Sequence, residues 1–207
     1  SNDADYVLLA ANDYRNDILV VPGSGPIRGV AIYKDVVYAF RDNVGATAGA
    51  MWKATSGGWT QIAFNNEFTF TTGAIAPTVG QVIKGATSGA TGVVIAVLLR
   101  TGTWAGTGVG SIVYLPVTGT FSSGELVKDN ALAVTYLTTS SVGAAITRLP
   151  GGRVEYVNDN FTGSTDTQKM YGCDGVNKAF EFDGTNYVPI RTGMATDTPS
   201  HVIVHRF

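Results

Sequence analysis

The sequence predicts an all-β protein: incomplete β-propeller-like blades interrupted by a small β-barrel or β-sandwich insert. Three observations predict it. Apolar residues alternate or come in short blocks, with turn residues punctuating them every 8 to 12 positions or so. A set of four short strand-like segments occurs twice. Between the two copies, residues 68–124 carry only two charged side chains, Lys84 and Arg100.

Composition sets the outer limits. A chain of 207 residues with 44% hydrophobic residues can bury a core. Charged residues make up only 14%, against about 25% in ordinary soluble domains. With 26 glycines and abundant threonine, this balance suits short strands and tight turns. The net charge of -2 comes without a Lys/Arg run to track a phosphate backbone, so nucleic-acid binding has little electrostatic support. The longest apolar run, residues 92–99, falls far short of the roughly 20 residues of a membrane helix, and the first residues lack a signal-peptide pattern. The lone Cys173 has no partner for an internal disulfide and reads as a small buried hydrophobe.

Along the chain, residues 6–12 could form one helical turn. Residues 18–21 read as a strand ending at the loop Pro22-Gly23-Ser24-Gly25-Pro26. The first copy of the repeat follows: strands at 29–33, 36–41, 49–53 and 58–62, with Lys34-Asp35 as the first hairpin turn and residues 55–58 as the last. The second copy has strands at 152–156, 168–173, 177–182 and 186–190. Residues 51–62 align with 179–190 without a gap. In the second copy Asp183-Gly184 marks the last turn, because it tolerates positive φ.

Between the copies, strands are expected at 80–84, 92–99, 111–116, 125–128 and 131–137. Their apolar faces need cover, which favours a compact domain over an extended arm. The expected organisation is residues 1–66 as N-terminal strand and first blade, 67–149 as the inserted β domain, and 150–207 as second blade and start of a third. The segment 201–207 reads as the opening strand of that third blade. A strand ended there leaves raw edges, which suggests a piece of a longer protein or completion by neighbouring chains.

Candidate sites are few. His201 and His205 would sit on one face of a strand about 13 Å apart, too far to share a metal ion. No Gly-x-Ser-x-Gly elbow supports a catalytic triad. Glu155, Asp159, Asp166, Asp174, Glu181 and Asp183 form no recognisable carboxylate pair and suit turns. The loops 23–29 and 85–89 lack the lysine and helix of a phosphate loop. Asn158-Asp159-Asn160 with Asp166 is a poor match to a calcium loop. The aromatics of the two copies, Tyr33, Tyr38, Phe40, Trp52, Trp59, Tyr156, Tyr171, Phe180, Phe182 and Tyr187, read as core between sheets. Trp104, in a Thr/Gly loop of the insert, is different: core packing is the commoner role for such a ring, while an exposed indole there would suit protein contacts or sugar stacking. No catalytic residue, cofactor or metal is expected.

Three stretches carry a resemblance. They are Pro22–Gly29 running into Val37–Asp42, Lys84–Gly92 with Thr118–Glu125, and Tyr171–Gly175 through Phe182–Gly184 to Pro199–His201. Together they resemble tailed-bacteriophage virion structural proteins of the propeller-with-insert type, such as the nozzle of short-tailed phages. The resemblance implies a non-enzymatic virion component of the tail or head-to-tail connector. It further implies a homo-oligomeric ring, packed against other tail or portal-complex proteins, around a channel through which DNA passes without specific binding. The rival expectation is a carbohydrate- or receptor-binding module of a phage tail, working through Trp104.

Overall fold

A computed structural model describes residues 3–9, 19–161 and 167–205. The protein is nearly all β, in three antiparallel sheets. The chain divides into two compact units: Ser1–Ile62 with Arg148–Asn177 and Thr198–Phe207, and Ala63–Thr147 with Lys178–Asp197.

The first sheet is a four-stranded meander, β1 (Ile27–Tyr33), β2 (Val36–Asp42), β3 (Gly49–Thr55) and β4 (Gly58–Gln61). Its first hairpin turns at Lys34 and Asp35, both in the left-handed region with φ of 47° and 60°, as a two-residue β-turn requires. Ala31, Tyr38, Phe40 and Met51 are buried on one face. The edge of β1 is capped rather than bare. Tyr156 Oη accepts from the Ile32 amide, Asn158 Nδ2 donates to the Ile32 carbonyl, and the Val154 amide donates to the Arg28 carbonyl. Such cover prevents edge-to-edge pairing.

Another meander has the order β12 (Glu155–Asp159), β13 (Lys169–Cys173), β14 (Phe180–Phe182) and β15 (Tyr187–Pro189). The sequence repeat is visible in its register. Trp52, Lys53 and Ala54 pair with Gln61, Thr60 and Trp59. Phe180, Glu181 and Phe182 pair with Pro189, Val188 and Tyr187 at the same offset. The hairpins even share a closing bond, from Ile62 N to Met51 O and from Ile190 N to Ala179 O.

The sheet of the second unit closes on itself. Its ladder runs β10 (Thr135–Thr139), β9 (Leu126–Asp129), β6 (Val82–Gly85), β7 (Thr91–Thr101), β8 (Gly108–Thr118), β5 (Asn66–Gly73), and β5 pairs again with β10 through Thr71↔Thr138 and Phe70↔Thr139. The result is a six-stranded antiparallel barrel, with the short β11 (Ala144–Ala145) added beside the start of β5. Inward side chains, among them Phe68, Phe70, Ile83, Val94, Ile112 and Tyr114, form one buried cluster. Closure removes the edges an open sheet would expose.

Several expectations shift, each for a local reason. The strand expected at 152–156 runs at 155–159, because Gly151 and Gly152 adopt positive φ and hold a turn. The strand expected at 177–182 begins at Phe180, because the Asp174 carboxylate holds the amides of Val176 and Asn177 in a turn. The strand expected at 131–137 begins at Thr135: Asp129 Oδ1 accepts from the Val134 amide at 2.7 Å, and Leu132 takes a φ of 59°. Residues 19–21 are not a strand; Arg41 donates instead to the carbonyls of Val21 and Gly25. Residues 201–205 are not a strand either. They follow a segment held by a bond from Gly175 N to Pro199 O. Residue 18, residues 206–207 and residues 10–12 of the expected helical turn lie outside the described residues, while 3–9 are helical. The strand Asn66–Gly73 has no counterpart among the expected strands, although its Phe68-Thr69-Phe70-Thr71 alternation is a clear period-two signal.

Candidate functional site

In the first unit the buried polar residues gather at the ends of the second strand of each meander. Asp42 closes β2 and is buried. Arg28 Nε and Nη2 donate to its Oδ2 at 2.7 and 2.6 Å, and the Gly151 amide also donates to it. Asp174 directly follows β13 and is equally buried. Its Oδ2 accepts from Arg148 Nη2 at 2.5 Å and from Asn177 Nδ2 at 2.8 Å, while its Oδ1 accepts the amides of Val176 and Asn177. Asn177 then clasps Leu149 through both backbone groups. Arg148 also lies over the Phe40 ring, 5.2 Å from the centroid, and its backbone bridges Gly49. The two aspartates thus dock the chain before β12 against β2 and β13. A buried ion pair is tolerable only with such full satisfaction. The crevice beside Arg28, Asp42, Gly49 and Arg148 is about 10 Å³, room for about one water molecule.

In the second unit the corresponding feature is Glu125. Its carboxylate accepts from the amides of Ser122, Ser88 and Thr87 at 2.6, 2.9 and 3.1 Å, and from the Ser88 hydroxyl at 2.8 Å. Burial by itself would raise its pKa, but the donors from Ser88, Ser122 and Thr87 prevail, and the group sits below the ordinary glutamate value. Gly85 makes the fit possible: a Cβ there would lie 2.6 Å from both carboxylate oxygens. Thr139 completes the staple, accepting from the Glu125 amide and donating to the Ser122 carbonyl. Elsewhere in the unit, Arg191 forms a two-pronged pair with Glu67 on β5, and Asn65 Oδ1 accepts the Tyr187 amide. Tyr187 packs between Phe64 and Phe180, with centroids 4.4 and 4.8 Å away.

Trp104 is half-buried, not free-standing. Its ring stacks on Phe70 with centroids 5.3 Å apart and 22° between planes, at the rim of the barrel core. His201 Nδ1 lies 3.0 Å from Glu155 Oε2 on an exposed surface. With residues 201–205 outside any strand, the shared strand face expected for His201 and His205 is not formed. Asp183 takes the turn role expected of it, accepting the amides of Thr185 and Asn186. Asn158 turns its amide group onto β1, while Asp166 lies outside the described residues. Among the described residues, no group of three or more His, Cys, Asp or Glu side chains could hold a metal ion. Cys173 is buried, and burial, Glu155 and Asp174 all push its thiol pKa up, the opposite of an activated nucleophile.

No family model, curated protein or solved structure matches this chain.

The polar network was only partly visible in sequence. Asp174 was among the candidate carboxylates, but Asp42, Arg28, Arg148 and Glu125 were not. A signal was available: Asp42 and Asp174 close equivalent strands of the repeat. Glu125 is the first acidic residue after Glu67, and it lies in one of the turns that carry the resemblance.

Proposed function

We propose that this chain is a non-enzymatic structural component of a bacteriophage tail or head-to-tail connector, nozzle-like, assembling in a ring of identical subunits around a DNA channel. The two four-stranded meanders are read as incomplete propeller blades and the closed barrel as their insert. The observation that carries the reading is the shared hairpin register of the two meanders, on either side in sequence of a barrel with its own core. That is the arrangement the resemblance implies.

The chemistry of the buried carboxylates supports a structural role. Asp42 and Asp174 hold arginines, and Glu125 holds three amides and a hydroxyl. None of the three is presented as a general acid or base, which needs a proton to exchange with substrate. A net charge of -2 suits a wall past which DNA moves without being trapped. No helix among the described residues is long and apolar enough to cross a membrane. The glycan-binding alternative loses support from Trp104, because Phe70 occupies one face of the ring that a sugar would use.

Immunogold labelling of particles of the phage that encodes the chain tests this reading. Label is expected on the tail or at the head–tail junction. Particles without label, or label only on receptor-binding fibres, would overturn it. A glycan array with the wild type and Trp104→Ala separates the alternative: binding lost in the variant would favour a sugar-binding module.

A further inference from the structure

One crevice of the first unit brings three arginines together. Arg28, Arg41 and Arg148 line it, with Phe40, Asp42 and Ala50. Arg28 comes from β1, Arg41 from β2, and Arg148 from the chain that bridges to Gly49 of β3. Two of the three have carboxylates. Arg28 commits Nε and Nη2 to Asp42, and Arg148 commits Nη2 to Asp174. Arg41 has no carboxylate partner among the described residues. Its Nε donates to the Gly25 carbonyl at 2.8 Å and its Nη1 to the Val21 carbonyl. Three guanidinium groups against two carboxylates leave one positive charge over.

The donors point the same way. A guanidinium group only donates hydrogen bonds, and Nη1 of Arg28 and Nη2 of Arg41 meet no acceptor among the described residues. The carboxylate at the crevice is already engaged. Asp42 Oδ2 accepts from two nitrogens of Arg28, and the Gly151 amide lies 3.2 and 3.3 Å from the two Asp42 oxygens. A water molecule seated here would be offered hydrogen bonds and find little to accept its own. A monatomic anion only accepts, and it cancels the leftover charge. Charge held away from bulk water is costly unless it is paired. The crevice, about 10 Å³, takes one species of about the size of a water molecule. It does not enclose the four oxygens of phosphate or sulfate.

We propose that the crevice lined by Arg28, Arg41 and Arg148 is a binding site for chloride. The ion ties the chain before β12 to β1 and β2, alongside the Asp42 and Asp174 ion pairs. Arg148 is 5% exposed and lies over the Phe40 ring, so one wall of the site is set before the ion arrives. Partial burial strengthens the attraction over its value in open water. Because the ion binds the folded chain and not the unfolded one, it stabilises the protein in step with its concentration. This inference does not rest on a virion location, so it can fail while that reading stands, and the reverse.

The linewidth of the chloride NMR signal, measured with the full 207-residue chain, tests it. Chloride exchanging on and off a protein site gives a broader line. The wild type is expected to add broadening that sodium bromide relieves and sodium gluconate at equal ionic strength does not. Melting in sodium chloride is expected about 2–4 °C above melting in gluconate at equal ionic strength. Arg41→Gln removes the cation that lacks a carboxylate. Ala50→Val fills the space and leaves every charge in place. Each variant is expected to lose both the broadening and the chloride-dependent rise in melting. Ala50→Val carries the test should Arg41→Gln fail to fold by circular dichroism. A wild type that adds no broadening would overturn the proposal and leave the crevice to water. Broadening retained by either folded variant would also overturn it, because the chloride then sits elsewhere on the surface. Inorganic phosphate that relieves the broadening at lower concentration than bromide would overturn it in favour of an oxyanion site.

Discussion

Asp42 and Asp174 hold similar places in the two meanders: Asp42 is the last residue of the second strand and Asp174 directly follows it, each is buried, and each closes on an arginine that precedes it in the chain, Arg28 and Arg148. The two pairs differ in exposure. Arg28 is 32% exposed, whereas Arg148 is 5% exposed and Asp174 is fully buried. The difference sets their expected contributions.

Removing Asp174 leaves the Arg148 guanidinium buried without its carboxylate. Asp174→Ala is expected to cost about 3–5 kcal/mol, measured by urea unfolding. Asp42→Ala is expected to cost less, because water can reach Arg28. If Asp42→Ala proves the more damaging, the assignment of Asp174 as the tighter anchor is wrong.

Glu125 should make the barrel acid-sensitive. Its folded pKa lies below the unfolded value, so the unfolded chain binds the proton more tightly. The stabilisation is therefore full above the unfolded glutamate pKa of about 4.3 and is lost as pH falls through the folded value. Glu125→Gln turns an amide donor toward the amides of Thr87, Ser88 and Ser122. The variant should lose about 1–3 kcal/mol at pH 7. It should also show a flatter fall in stability between neutral and acidic pH. Parallel pH curves for the two proteins would refute this account.

Gly85 and Glu125 should be coupled. A methyl group on Gly85 meets both Glu125 oxygens at 2.6 Å and Ser88 Oγ at 2.5 Å, so Gly85→Ala is expected to cost about 1–3 kcal/mol. With Glu125→Ala in the background the clash with the carboxylate is gone, and the same substitution should cost clearly less. A double-mutant cycle with no interaction energy would exclude the contact.

Cys173 should be inert. Its burial and raised pKa predict that a thiol reagent at pH 8 labels the denatured chain promptly and the native chain only as fast as it opens. Prompt labelling of the folded protein would place the thiol at the surface.

Much of the local structure was legible because it has local causes. The hairpin at Lys34-Asp35, the one at Asp183-Gly184 and the ungapped match of residues 51–62 to 179–190 come from turn chemistry and period-two alternation within a few residues. Where strands started late, as at Glu155 and Phe180, the cause was a side chain or glycine holding a turn that alternation does not report. The missed strand Asn66–Gly73 is different. Its alternation was present, but its importance lies in pairing with β8 and β10, far along the chain.

By itself, the sequence determined that the chain is all β, where most strands lie, and that one hairpin repeats in register. These follow from alternation and turn residues, which act over neighbouring positions. Only the tertiary structure decided that the sheet from Asn66 to Ala145 closes through β5 and β10, that Asp42 and Asp174 receive Arg28 and Arg148, that Glu125 staples two distant turns, and that Trp104 rests on Phe70. Each is a contact between residues far apart in sequence. Such partners are selected by packing and by the need to satisfy every buried polar group, and neither leaves a fixed spacing to read.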